Sequence, residues 1–179
     1  MKRKLLKIII VILIILITKE LFIIIYINET NKKEIKRFNN PKYKYEYVDK
    51  LILEIPKINI KQMVDKADDN YSNLDKGLVY YKNNDYNKKI IIFGHSGIGY
   101  GVHFNRLDEL DIEDRVYLYK NNYKITYIVS DIFTIREDEI GILDSENKPI
   151  LMLITCKKND KKKRLVVKLS SKSVKTLKK

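Results

Sequence analysis

The chain has 179 residues, one cysteine and a formal net charge of +13. This length accommodates one membrane segment and one globular domain with a hydrophobic core, but not two such domains. A single cysteine excludes an internal disulfide and any cysteine cluster around a metal ion. The excess of basic residues lies at the two ends of the chain, whereas a nucleic-acid-binding protein carries a basic face on its folded module. The charge therefore favours a membrane surface, and we expect no nucleic-acid partner.

The first 27 residues predict a membrane anchor. Residues 1–7 contain four basic side chains, and residues 8–27 are apolar apart from the triplet at 18–20. A helix of about 20 residues spans a bilayer core, which is the length of this segment. Its apolar side chains contribute about −5 to −10 kcal/mol to insertion, against about +5 to +7 kcal/mol for the two charges. The alternative is a cleaved signal peptide, which requires small residues at the cleavage site. The first 66 residues contain no Ala, Gly or Ser, so a retained anchor is favoured.

The charge distribution around this anchor predicts its orientation. Basic residues in segment 1–7 keep the N-terminus in the cytoplasm and place the rest of the chain outside the cell. Residues 28–48 are polar without a steady period, which indicates an extracellular stalk. We expect the globular domain at 49–170 and a frayed basic tail at 171–179. The expected location is the cell membrane, with a single span.

Short runs rich in Ile, Val, Tyr and Leu alternate with turn residues across the globular domain and predict eight strands. These are Leu51–Ile55, Asn59–Val64, Leu78–Tyr81, Lys89–Phe93, Arg115–Tyr119, Tyr123–Arg136, Ile150–Thr155 and Arg164–Ser170. Eight strands with short connections favour an all-β fold, a closed or nearly closed barrel. The pair Asn121-Asn122 predicts a tight hairpin because Asn tolerates positive φ. One or two short helices are expected, at Tyr71–Lys76 and Phe104–Leu110.

Three residues at predicted strand ends are candidates for chemistry. Cys156 ends the apolar run that begins at Ile150, His95 stands in a glycine-rich loop after an apolar strand, and Arg164 opens the last strand. Taken singly, each has an ordinary explanation. A lone cysteine is usually a small buried hydrophobe. A loop histidine is as often structural as functional, and an arginine at a strand end is usually solvated.

The combination is more informative than its members. A thiol with an ordinary pKa of about 8.5 needs an imidazole or guanidinium nearby to act as a nucleophile at neutral pH. Histidine is a natural acid for protonating a departing amine. Arginine keeps its proton and can hold a substrate carbonyl or a developing oxyanion. Cysteine, histidine and arginine at three strand ends therefore indicate acyl transfer through a thioester.

These motifs resemble those of the sortases, the membrane-anchored cysteine transpeptidases of Gram-positive bacteria. The segment Leu153–Cys156 matches the family's T-L-x-T-C at all but its first position. Arg164 at the start of the last strand and Gly94-His95 after an apolar strand also match, and Leu53–Ile60 is similar to the first barrel strand of several sortase classes. The likeness extends from Leu51 to Ser170.

The resemblance implies an eight-stranded sortase barrel and a role for each site residue. Cys156 is the implied nucleophile, His95 the general acid and base, and Arg164 the stabiliser of the bound substrate and oxyanion. Thr155 is implied to lie in the substrate groove beside the nucleophile. This chemistry requires no metal or cofactor, and the scattered acidic residues do not define a calcium site.

The sequence departs from the family pattern at three places; the first two are tolerable, and the third leaves the sortase class open. Met152 stands where the family usually has Thr, Glu113-Asp114 replaces a common Gly-Asp turn, and the segment after Gly77 lacks a His often found there. The short stretch between Arg136 and the nucleophile strand has no room for the helix-bearing loop of class B. A lid motif and a second membrane span, typical of class C, are not found. A class A, D or E-like enzyme is the expectation.

The resemblance also implies substrates. These are secreted proteins with an LPxTG-like C-terminal sorting signal, which are cleaved through a thioacyl-enzyme and transferred to an amine of a peptidoglycan precursor or another acceptor. The second histidine, His103, is interpreted as an exposed loop residue. The alternative from another class is a catalytically silent, membrane-tethered β-domain that binds anionic lipid or wall polymer through the basic segment Lys157–Lys179.

Overall fold

The structure is a computed structural model that describes residues 2–40, 42, 50–81, 89–97, 103–120, 122–139 and 149–177. Helix α1 spans Lys2–Phe38, and the strands are β1 Leu51–Ile55, β2 Ile60–Lys66, β3 Leu78–Tyr80, β4 Lys89–Phe93, β5 Arg115–Lys120, β6 Tyr123–Arg136, β7 Ile150–Lys157 and β8 Asp160–Thr176. The strands close into a barrel in the order β1-β2-β3-β4-β7-β8-β6-β5. Short 3-10 helices lie at Pro56–Ile58, Ser72–Lys76 and Leu107–Glu109. The predicted barrel with an N-terminal apolar helix is confirmed.

Among the strands, β8 differs most from its predicted bounds. This strand begins at Asp160 and continues to Thr176, so it includes much of the segment predicted as a frayed tail. Its extra residues pair with β6 as far as the contact of Tyr123 with Thr176. Lys and Ser have weak strand propensity, but a partner strand satisfies their backbone groups. The predicted β5–β6 hairpin is present, with Lys120 paired to Tyr123, although Asn121 lies outside the described residues.

Strand β7 is buried on both faces, which explains its unbroken apolar run. Leu151 and Leu153 point into the main core inside the barrel. Met152 is 3% exposed and belongs to a second apolar cluster on the other face of the strand. The buried members of that cluster are Ile91, Ile135, Ile150, Met152, Ile154 and Val166. An apolar side chain at position 152 therefore has packing partners, although the family usually has Thr there.

Helix α1 is long and apolar enough to cross a membrane, and its C-terminal part packs against β2. The Asn31 amide donates to the carbonyl of Lys61 (2.8 Å) and accepts from the N–H of Met63 (3.3 Å). One helix face is half-buried at a spacing of three or four residues, at Ile23, Ile27, Asn31, Glu34, Ile35 and Phe38. The helix thus continues into the segment predicted as a stalk, of which residues 41 and 43–48 lie outside the described residues.

Glu113, in the turn before β5, has a left-handed backbone with φ of 74°. This conformation costs a residue other than glycine roughly 1–2 kcal/mol. We predict that Glu113→Gly raises the free energy of unfolding by up to about 1 kcal/mol, because the greater unfolded-state entropy of glycine offsets part of the relief. Urea denaturation in detergent measures the change.

The neighbouring Ile112 provides the matched control for this substitution. Its side chain is 52% exposed, and its φ is not among the positive values of the described residues. Ile112→Gly should lower the free energy of unfolding by about 0.5–1 kcal/mol. If Glu113→Gly destabilises the protein as much as Ile112→Gly does, the left-handed turn carries no strain.

Candidate active site

The barrel brings the three candidate strand ends together. Strands β4 and β7 are parallel neighbours, with Phe93 beside Ile154, so both end on the same side of the barrel. Cys156 lies near the end of β7 as a half-buried free thiol, and Arg164 is its direct partner across the β7–β8 ladder. His95 is two residues beyond the end of β4. The structure thus places the segments that carry all three residues at one end of the barrel.

The loop that carries His95 is bonded to the end of β7 through residues on both sides of the histidine. The three bonds run from Gly94 N–H to the Ile154 carbonyl (3.1 Å), from the Thr155 hydroxyl to the Gly94 carbonyl (2.7 Å), and from the Ser96 hydroxyl to the Cys156 carbonyl (2.5 Å). They hold the histidine loop in register with the cysteine. Sequence reasoning did not identify the contribution of Ser96.

Gly94 is required for this close approach. A Cβ added there would lie 2.6 Å from side-chain atoms of both Leu78 and Phe104. Phe104 is itself part of the core, at 1% exposure, and its N–H donates to the His95 carbonyl at 2.9 Å. The glycine before the histidine therefore has a packing reason, since any side chain at that position would push the loop away from the barrel.

A cavity of about 170 Å³ opens beside the cysteine. Its lining includes Ser96, Phe104, Asp108, Thr155, Cys156 and Lys158. Lys158, in the β7–β8 turn, lies with its Nζ 2.9 Å from Asp108 Oδ1, and this pair bridges the turn and the segment after the histidine loop. Thr155 is 4% exposed, and its hydroxyl is engaged with Gly94. Its main effect in this structure is to hold the loop.

His95 has an acidic partner that sequence reasoning missed. Its Nε2 lies 3.0 Å from Asp75 Oδ1, and the imidazole is 42% exposed. Asp75 belongs to the short helix between β2 and β3, a segment that no motif singled out. A carboxylate bonded to one ring nitrogen orients the imidazole and selects its tautomer. Among the described residues, no group of three or more His, Cys, Asp or Glu side chains is arranged to hold a metal ion.

Arg164 is held by its own strand and by an acid. Its guanidinium donates to the carbonyls of Lys161 (2.7 Å) and Lys163 (3.2 Å) and to Glu137 Oε2 (3.0 Å). Its side chain is only 21% exposed. Within the described residues, the Cys156 thiol makes no hydrogen bond with His95 or Arg164. In ligand-free enzymes such contacts often form only when the substrate is bound.

The other histidine, His103, is half-buried rather than exposed. It immediately precedes the core residue Phe104, so the backbone places it close to the core. Its Nε2 is buried and has no hydrogen-bond partner among the described residues. Burial, together with the nearby His95, lowers the pKa of His103 below its usual value. The structure thus favours a neutral His103 beside the candidate site.

This burial predicts a pH dependence of stability. Above the usual pKa of about 6.5, His103 is neutral in both folded and unfolded chains. As the pH falls below that value, the unfolded chain binds a proton that the folded chain does not, so folding stability decreases towards the lowered pKa. His103→Met should flatten this decrease. Denaturation midpoints measured from pH 7.5 to 5 test the expectation, which fails if both proteins lose stability equally.

Comparisons with known proteins agree with this geometry. The family model of the sortase domain matches residues 53–172, more than half of the chain. A search of curated proteins found none that matches this chain. Sortase A of Listeria monocytogenes is 23% identical, with a TM-score of 0.64 over 72% of this chain and 90% of that one. Sortase C-3 of Streptococcus pneumoniae is 28% identical, with a TM-score of 0.63 over 70% of this chain and 64% of that one.

A third solved structure, sortase A of Corynebacterium diphtheriae, is 21% identical, with a TM-score of 0.62 over 75% of this chain and 70% of that one. The fold is therefore that of a sortase-type β-barrel. The chain belongs to the sortase family. Its structural neighbours include both sortase A and sortase C proteins, so they do not favour one class.

Proposed function

We propose that this protein is a membrane-anchored cysteine transpeptidase. It cleaves an LPxTG-like C-terminal sorting signal and transfers the secreted protein to an amine acceptor of the cell wall. The observation that carries the proposal is the pairing of Cys156 with Arg164 across β7 and β8, with the His95 loop bonded to the same strand end. Family membership supports cysteine transpeptidase chemistry in general.

The first half-reaction forms a thioester. The Cys156 thiolate attacks the carbonyl carbon of a threonine-like residue in the sorting signal, and a new S–C bond forms. Arg164 supports the negative charge that develops on the carbonyl oxygen, since a guanidinium keeps its proton and offers several donors. The C–N bond to the next residue then breaks, and protonated His95 gives its proton to the leaving amine.

The second half-reaction transfers the acyl group. An acceptor amine attacks the thioester carbonyl, the C–N bond forms and the S–C bond breaks. His95 takes the proton that the amine loses, so the thiolate and the imidazolium are both regenerated. The proposed acceptor is a peptidoglycan precursor or another amine. The proposed setting is the outer face of the cell membrane, with α1 as the single span and the N-terminus in the cytoplasm.

Mass spectrometry of the detergent-solubilised protein with an LPxTG-type peptide tests this proposal. The expected product is a covalent adduct on Cys156 equal in mass to the N-terminal peptide fragment, which hydroxylamine or an added amine releases. The catalytically silent alternative predicts salt-sensitive binding to anionic lipid or wall polymer with no adduct. Unmodified Cys156 together with an intact peptide would contradict the transpeptidase.

Arg164→Lys provides a test of the arginine's role. The substitution keeps the positive charge but loses the planar fork that donates to Lys161, Lys163 and Glu137. A conservative change at such a multiply bonded site is not neutral, and removal of one oxyanion donor costs about 10²–10³ in kcat. We expect a loss of that order in the rate of thioester formation. Glu137→Gln, which keeps an acceptor, should cost much less.

A further inference from the structure

Exposed apolar side chains of the globular domain are concentrated at one end of the barrel. Among the described residues outside α1, the exposed large apolar side chains are Ile112 (52%), Tyr123 (48%), Val174 (60%) and Leu177 (37%). The last three lie together, since Val174 pairs with Ile125 next to Tyr123 and Leu177 N–H donates to the Asn122 carbonyl at 2.6 Å. We call the end formed by residues 122–125 and 172–177 the basal rim.

The basal rim is also basic. Segments 115–130 and 161–177, which form this end and the strands leading to it, contain no Asp or Glu. Lys172 and Lys175 have no carboxylate partner among the described residues. Lys124 stacks over the ring of Tyr117 at 3.7 Å from its centroid. Exposed apolar side chains among lysines are the composition of a surface that binds an anionic membrane interface.

Helix α1 is attached to the side of the barrel, at β2. Its Asn31 bonds to Lys61 and Met63 of β2. Asn31 follows Ile27, the last residue of the predicted span, by about 6 Å of helix rise. The contact between α1 and β2 therefore lies about one helical turn beyond the predicted span, which holds the barrel close to the membrane surface.

The active site lies at the opposite end of the same strand. Arg164 is near the start of β8, and Thr176 ends it at the rim. At about 3.3 Å per residue, the strand separates the two by up to about 40 Å. A contact between the rim and the bilayer would therefore leave Cys156 facing away from the membrane.

We propose that the basal rim rests on the anionic outer surface of the bilayer that holds α1. Tyr123, Val174 and Leu177 enter the headgroup region, and Lys172 and Lys175 face lipid phosphates. The helix supplies the high local concentration, because a tethered second contact is intramolecular and needs little affinity of its own. This inference depends on the proposed membrane anchor but not on the proposed catalysis.

Tryptophan fluorescence in vesicles tests the proposal, because the chain contains no tryptophan. Each variant of the full chain is reconstituted in phosphatidylglycerol and phosphatidylcholine vesicles whose acyl chains carry bromine near the headgroup. Tyr123→Trp and Val174→Trp report on the rim. Ile112→Trp is the matched control. Its exposure is similar, and it lies just before the start of β5, away from the rim. Phe22→Trp reports on insertion of α1.

We expect Phe22→Trp to be quenched, and Tyr123→Trp and Val174→Trp to be quenched at least about twofold more than Ile112→Trp. Equal quenching of the rim and control positions, with Phe22→Trp quenched, overturns the rim contact and leaves the anchor intact. Failure to quench Phe22→Trp overturns the anchor and the rim contact together. Peptide transfer by the same preparations is measured separately and reports only on catalysis.

The lysines are tested in the Tyr123→Trp protein. Adding Lys172→Glu and Lys175→Glu should reduce quenching in the anionic vesicles but leave it unchanged in pure phosphatidylcholine. High salt should produce the same reduction, because the Debye length falls from about 10 Å at 0.1 M to about 3 Å at 1 M. Unchanged quenching in anionic vesicles would overturn the role assigned to lipid phosphates.

Discussion

Replacing Cys156 with alanine is expected to abolish both adduct formation and transfer of an LPxTG-type peptide. The chain has no other cysteine, and the residues that line the cavity include no second thiol. Loss of the nucleophile in a covalent mechanism leaves only binding and electrostatic effects, so the rate should fall by at least about 10³-fold. Peptide cleavage measured by chromatography and adduct mass provide two independent readouts.

Met152→Leu is the matched control for Cys156→Ala. Position 152 lies on the same strand, four residues before the nucleophile, and its side chain packs in the second apolar cluster. Leucine preserves volume and apolar character, a change that usually costs less than about 1.5 kcal/mol of stability. Activity close to that of the unmodified protein is expected. Cleavage by Cys156→Ala at the rate of Met152→Leu would show that another group attacks the substrate.

The second large effect is expected at His95. His95→Gln removes the proposed proton donor and acceptor, and general acid–base catalysis contributes about 10²–10⁴-fold. The loss should appear in both cleavage and transfer, because the same imidazole is proposed for both half-reactions. Glutamine keeps a polar side chain that can still accept a bond in the Asp75 contact. The measurement is the rate of product formation with peptide and amine at saturation.

His103→Gln is the companion variant because His103 is the only other histidine in the chain. It lies near His95 but has no direct bond to β7 among the described residues. We expect a loss of less than about tenfold, well below the loss from a missing acid or base. A severe loss in His103→Gln with retained activity in His95→Gln would transfer the catalytic role to His103.

Much of the barrel was predictable because its strands are short, apolar and separated by turn residues. Strands β1, β4 and β6 have their predicted bounds. Burial on both faces leaves β7 with a continuous apolar run, which the sequence displays directly. The end of β8 was not predictable, because residues 171–176 are mostly Ser and Lys and become a strand by pairing with β6.

The same distinction applies to the candidate site. Cys156, His95 and Arg164 were identifiable from residue type and position at strand ends, before any contact was known. Asp75, Ser96 and Glu137 were not, because each contacts a residue 20 or more positions away along the chain. Their own segments carry no pattern that indicates a partner.

The amino-acid sequence alone determined the apolar helix, the number of strands and the three residues proposed for chemistry, because periodicity and residue chemistry are local properties. The tertiary structure decided which acid orients His95, that His103 is half-buried beside Phe104, and that the basal rim lies at the end of the barrel opposite Cys156. Barrel closure and strand register bring these distant residues together, and register depends on long-range pairing that no short segment encodes.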